Sequence, residues 1–60
     1  MLYDRIKEIC KEKGVSVASV EKEAGLGSGA ISKWNVSSPT VENLQAVAKV
    51  LKVKVAKLIE

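Results

Sequence analysis

The sequence predicts an all-α fold of five short helices. Three observations carry that expectation. Apolar residues recur at intervals of three and four along most of the chain. Gly, Pro and Ser residues cut this periodicity into short segments. The one stretch that alternates with period two, Val53-Lys54-Val55, has no second strand to pair with. At 60 residues the chain is one domain spanning 1–60. A chain of this size buries only about 60% of its unfolded surface, so packing must be efficient. The hydrophobic share is 47% and the aromatics are Tyr3 and Trp34, so the core is aliphatic.

The first helix is expected over Leu2 to Lys13. Leu2, Ile6, Ile9 and Lys13 form one stripe, widened by Tyr3 and Cys10. Asp4 in the first turn and Lys11 and Lys13 in the last complement the helix dipole. Gly14 suits the position after the helix, where positive φ costs glycine little. Ser16 is an N-cap for a second helix reaching about Ala24, with Val17, Val20 and Ala24 on its apolar face. Gly25 ends it. A third helix runs from about Ser28 to Trp34, where Ile31 and Trp34 share a face. Within such a helix Gly29 costs roughly 0.5–1 kcal/mol relative to Ala. Asn35 to Pro39 is a polar connector. Pro39-Thr40 and Glu42 start a fourth helix carrying Val41, Leu44, Val47, Ala48 and Leu51, closed by Lys49 and Lys52. Val53 to Glu60 is read as a short fifth helix. Ile6, Val20, Ile31, Trp34, Leu44, Val47, Leu51 and Leu58 are the expected core.

Composition excludes several function classes. There is no histidine and a single cysteine, Cys10, which falls on an apolar stripe and reads as a small buried hydrophobe. Zinc and haem spacings are missing, so no metal or cofactor is expected. Apolar runs are too short to span a membrane, and Met1-Leu2-Tyr3-Asp4-Arg5 lacks a signal-peptide core; a cytoplasmic protein is expected. Carboxylates are scattered on helix surfaces and the serines lack a base. A ligand-sized pocket would consume the core of so small a domain. Neither catalysis nor a small-molecule ligand is expected. The net charge of +3 permits a polyanion partner without demanding one. Lys7, Lys11 and Lys13 face Asp4, Glu8 and Glu12 at helical spacing, which predicts i,i+4 pairs. Lys49, Lys52, Lys54 and Lys57 read as a solvated basic face.

The informative segment is about 16–35. It holds two short helices joined by Gly25-Leu26-Gly27, a turn short enough to set them at roughly 90–120°. One helix can then lie in a DNA groove while the other braces it. Gly25 supplies the chain reversal, Ala24 the close approach, and Ile31 and Trp34 the apolar anchors.

In this arrangement the chain resembles the phage repressor/Cro-type helix-turn-helix family, also called the xenobiotic-response-element family. Lys11-Glu12-Lys13-Gly14-Val15-Ser16 is similar to its junction between helices one and two. Val20, Ala24, Gly25, Leu26, Ile31 and Trp34 match its apolar and turn positions. Ile31-Ser32-Lys33-Trp34, Ser38-Pro39-Thr40-Val41-Glu42-Asn43-Leu44 and Leu51-Lys52-Val53-Lys54-Val55 follow in the family's order and spacing. The resemblance implies a lambda-repressor-like domain whose third helix, about 28–35, lies in the major groove. It also implies a homodimer on a palindromic operator. Carried over by position, Ser28, Gly29, Ser32 and Lys33 face bases, with Val17 beside the same groove. Ser16, Asn35, Ser37 and Ser38 face phosphates, helped by the backbone N–H groups that open helix two.

Departures from the family pattern bear on function. The reading face has no Asn, Gln or Arg for bidentate base contacts, and Lys33 is its only long polar side chain. Glu21 stands where many relatives carry a small Ala between the two helices. Lys54 stands where a Ser or Asp cap is usual, a loss of about 1 kcal/mol. The sequence therefore predicts a small transcriptional regulator that binds double-stranded DNA, repressor-like or Cro-like. The rival reading is a protein-interaction or antirepressor module that keeps the fold with weak base readout. The chain also fits as the DNA-binding part of a longer regulator.

Overall fold

Two backbone devices, repeated along the chain, set where the helices begin and end. A helix leaves its first N–H groups without partners, and a hydroxyl placed just before it can accept from one. Ser16 Oγ accepts from the Ser19 N–H at 3.1 Å, and Thr40 Oγ1 from the Asn43 N–H at 3.1 Å. Both cap residues have extended backbones, with ψ of 153° and 159°. At the other end the chain turns back through a left-handed residue, which lets two N–H groups close onto the last carbonyls. Leu26 donates to the Glu21 carbonyl at 2.8 Å and Gly25 to that of Lys22 at 3.2 Å. The same pair recurs at Val15–Cys10 with Gly14–Lys11, and at Val53–Ala48 with Lys52–Lys49. Glycine holds the left-handed position at the first two ends (Gly14 φ 71°, Gly25 φ 77°) and Lys52 at the third (φ 58°).

These signals yield, in a computed structural model describing residues 1–59, α1 (Leu2–Lys13), α2 (Val17–Glu23), a 3₁₀ helix (Ile31–Asn35), α3 (Val41–Leu51) and α4 (Val55–Ile59). The fold is all-helical among the described residues, and the five segments fall in the expected order. None of these helices is long and apolar enough to cross a membrane. Of the expected fifth helix, Glu60 lies outside the described residues.

Two of the α-helices start without a hydroxyl. Met1 offers no side-chain cap to α1. Instead Asn35 Oδ1, from the far end of the 3₁₀ helix, accepts from the Tyr3 N–H at 2.9 Å. The start of α4 has the Lys54 carbonyl, which accepts from the Lys57 N–H at 2.9 Å. Its middle is tied back to α1, where Arg5 Nε donates to the Lys57 carbonyl at 3.1 Å. Burial completes the anchoring, since Leu58 is fully enclosed.

Each helix contributes to one core. Ile6, Ile9 and Cys10 come from α1, Val20 from α2, and Ile31 and Trp34 from the 3₁₀ helix; Val47, Ala48 and Leu51 come from α3 and Leu58 from α4. Fully burying a large aliphatic side chain contributes about 1.5–3 kcal/mol. α1 packs against the 3₁₀ helix and α4, and α2 packs against α3. Seven of the eight expected core residues are buried; Leu44 is only half-buried at the core's edge.

Two expectations need correction. The third helix does not begin at Ser28, because Gly29 sits at φ 82°, outside the right-handed helical region. Regular structure starts at Ile31 and is 3₁₀ rather than α: bonds from Ala30 to Gly27, Lys33 to Ala30 and Val36 to Lys33 all span three residues. Gly29 is therefore not a weak helical residue but the residue best suited to its conformation. The i,i+4 lysine–glutamate pairs expected on α1 are also not formed. The ion pairs among the described residues are Arg5 with Glu8 at 3.8 Å and the N-terminal amine with Asp4 at 4.0 Å. Lys7 lies over the Tyr3 ring, 5.7 Å from its centroid.

Candidate nucleic-acid interface

The turn after α2 decides how the next segment is presented. Gly25 reverses the chain and Leu26 tucks back half-buried against the core. Ile31 (0% exposed) and Trp34 (8%) then anchor the 3₁₀ helix from beneath. Three-residue spacing puts them on one side of a 3₁₀ helix, where positions i and i+3 eclipse. The residues between them must turn outward, and Ser32 and Lys33 are exposed. Ser28 is exposed ahead of them, while Gly29 is half-buried. Val17, the first residue of α2, is half-buried, and its cap Ser16 is exposed. The base-facing candidates Ser28, Gly29, Ser32 and Lys33 thus lie along one short segment.

Hydrogen bonds limit what these groups can offer. Ser32 Oγ donates to the Gly29 carbonyl at 2.7 Å, so its proton is committed and the exposed oxygen is left to accept. Ser16 Oγ is engaged at the start of α2, and its carbonyl accepts from Ser19 Oγ at 2.8 Å. Asn35, a phosphate-facing candidate, is turned toward α1: besides the Tyr3 contact, Nδ2 donates to Asp4 Oδ1 at 3.3 Å. In this structure its amide caps a helix. Ser37 and Ser38 are exposed in the connector that follows, with the Ser37 N–H bonded to the Lys33 carbonyl at 2.8 Å.

Glu21, a departure from the family pattern, has a structural role here. It is 5% exposed, yet both carboxylate oxygens are used. Oε1 accepts from the Gly29 N–H at 3.2 Å and Oε2 from the Ile31 N–H at 2.9 Å. An acid on α2 therefore closes the open N-terminal end of the 3₁₀ helix, where negative charge is favoured. The signal was present in the sequence. Glu21 lies on the apolar stripe of Val17, Val20 and Ala24, so it had to be buried, and a buried carboxylate needs donors. Val36 was also missed: it is 92% exposed, an apolar side chain at the edge of the site between Asn35 and Ser37.

The segment 16–38 is electrically balanced, with Lys22 and Lys33 against Glu21 and Glu23. Its excess charge lies outside the motif.

A short helix, a glycine turn and a second helical segment anchored on the core define a helix-turn-helix protein. A family model described as helix-turn-helix, of the Cro/C1 type, matches residues 6–58, and the chain belongs to that family. It is a DNA-binding helix-turn-helix domain. No curated protein and no solved structure matches the chain significantly.

Proposed function

We propose that the chain is a transcriptional regulator that recognises a specific operator, bound as a homodimer on a palindromic site with residues 28–35 in the major groove. The single observation that carries this reading is the two-sided segment after the turn. Ile31 and Trp34 are buried beneath it, while Ser28, Ser32 and Lys33 are exposed above. The major groove, about 12 Å wide, admits an element of this size.

In this reading Lys33 contacts guanine or a neighbouring phosphate. Ser32 accepts from an exocyclic amine, since its own proton goes to Gly29. Gly29, without a side chain, lets the backbone approach. Val17 packs beside a thymine methyl. Ser16, Ser37 and Ser38 hold phosphates, and Asn35 contributes by fixing α1 against the 3₁₀ helix. Two subunits place half-sites about one DNA turn apart. The effect on transcription is steric, through occupancy of a cytoplasmic promoter region, and involves no catalysis.

An amide NMR titration with a short duplex at low and raised salt tests this reading. Shifts clustered at 16–17 and 28–38 that fade with salt are the expected result. Shifts confined to Lys49–Lys57, or none, overturn the docking mode and favour a protein partner instead.

A further inference from the structure

We infer that Glu21 is a positioning residue for base readout: its carboxylate fixes the backbone of the reading segment so that very short side chains can discriminate bases. This inference rests on the DNA-binding reading above and deepens it.

The argument begins with what the reading face lacks. A long side chain such as Arg or Gln can re-aim its end group when the backbone beneath it shifts. Ser28, Gly29 and Ser32 cannot, because they carry one side-chain heavy-atom bond or none beyond Cβ. Their contacts are decided by where the main chain lies, and productive geometry typically tolerates only about 0.5 Å of error. Bonds from Ala30 to Gly27 and from Lys33 to Ala30 lead into the 3₁₀ helix, while the N–H groups of Gly29 and Ile31 turn to a side chain instead. Gly29 lies in the left-handed region, so helical continuity cannot fix it either.

Both N–H groups are taken by one carboxylate. The oxygens of Glu21 reach Gly29 at 3.2 Å and Ile31 at 2.9 Å. These residues bracket the left-handed step and lie between Ser28 and Ser32. Glu21 is on the bracing helix and buried, so it belongs to a different element from the segment it holds. The ion pairs among the described residues do not include it, and the two N–H groups are its hydrogen-bond partners. The segment is thus clamped twice: by Ile31 and Trp34 against the core, and by Glu21 at its leading end. The first clamp sets depth; the second sets where the backbone at 28–31 stands along the groove.

The test compares wild type, Glu21→Gln and Glu21→Ala. The last restores the small residue that many relatives carry, so the fold is expected to survive, and melting curves fix a temperature at which all three are folded. Amide spectra are first recorded without DNA. Removal of the carboxylate should move the Gly29 and Ile31 amide protons upfield and speed their exchange. The amides of α1, α3 and α4 should stay in place. Binding is then measured on a duplex enriched by wild type from a random pool, and on a random duplex, at one salt concentration. We expect Glu21→Ala to lose about tenfold on the enriched duplex and less than twofold on the random one, a tenfold loss being 1.4 kcal/mol. Gln, which keeps one acceptor oxygen, should fall between. Equal losses on both duplexes, or unmoved Gly29 and Ile31 amides, overturn the inference. A wild-type chain that enriches no duplex overturns the DNA-binding reading together with it. Enrichment whose discrimination survives Glu21→Ala overturns this inference alone.

Discussion

Gly29→Ala separates the observed backbone from a regular recognition helix, because the two give opposite signs. In a helix the substitution stabilises by roughly 0.5–1 kcal/mol. At φ 82° an alanine instead suffers its Cβ clash with the backbone, about 1–2 kcal/mol. Reduced freedom of the unfolded chain returns about 0.4–1 kcal/mol of that. Packing adds little either way, since the new Cβ would meet Ser32 Oγ at 3.8 Å, an ordinary contact. The net is a destabilisation of about 1 kcal/mol. For a domain of this length that lowers Tm by about 4–8 °C. Thermal and urea melts followed by far-ultraviolet circular dichroism measure it, with Gly29→Asn as a control that tolerates the left-handed region better. A variant whose Tm rises would refute the backbone argument and show that residues 28–30 continue the helix.

Other substitutions probe single links. Lys52→Gly relieves the one left-handed lysine, at φ 58°, and should raise stability by about 0.5–1 kcal/mol in urea melts, while Lys52→Ala keeps the strain and should gain little. Lys33→Ala should weaken DNA binding and reduce the salt slope by about one per chain with little change in Tm; a large fall in Tm at unchanged affinity would remove its assigned role. Burial raises the Cys10 thiol above its ordinary 9.0, so the folded chain keeps a proton that the unfolded chain loses. Its contribution to stability is therefore complete below pH 9.0 and lost as pH rises through the folded value. Urea melts above pH 9 should fall more steeply for wild type than for Cys10→Ala; parallel curves would refute the burial argument.

Helix positions were legible in the sequence because the signals are local. Ser16 and Thr40 cap the helices they precede, and Gly14 and Gly25 end the helices they follow. The apolar stripes of α1 and α3 named most of the core. What was not legible depends on contacts distant in sequence. Asn35 reads as a polar connector residue until α1 is seen to lack a cap of its own. Lys52 reads as a closing lysine, and only the paired bonds to Lys49 and Ala48 reveal its left-handed backbone. The reading segment failed as an α-helix for a similar reason. Periodicity placed Ile31 and Trp34 on one face, and three-residue spacing fits α and 3₁₀ geometry alike. The choice between them is made by Gly29 and by a carboxylate eight residues upstream.

On the proposed reading, this construction bears on how so plain a surface could be selective. Selectivity is a ratio of specific to non-specific affinity. Non-specific affinity is almost entirely phosphate electrostatics, and within 16–38 the lysines Lys22 and Lys33 are offset by Glu21 and Glu23. A motif without net charge binds unrelated DNA weakly, so modest base contacts can still yield a useful ratio. On this reading Glu21 acts on the specific term, by fixing the backbone that carries Ser28 and Ser32. Adding lysines to this face would therefore raise affinity while lowering discrimination. On the proposed reading, affinity rests instead on short-range fit and on the second subunit of the proposed homodimer.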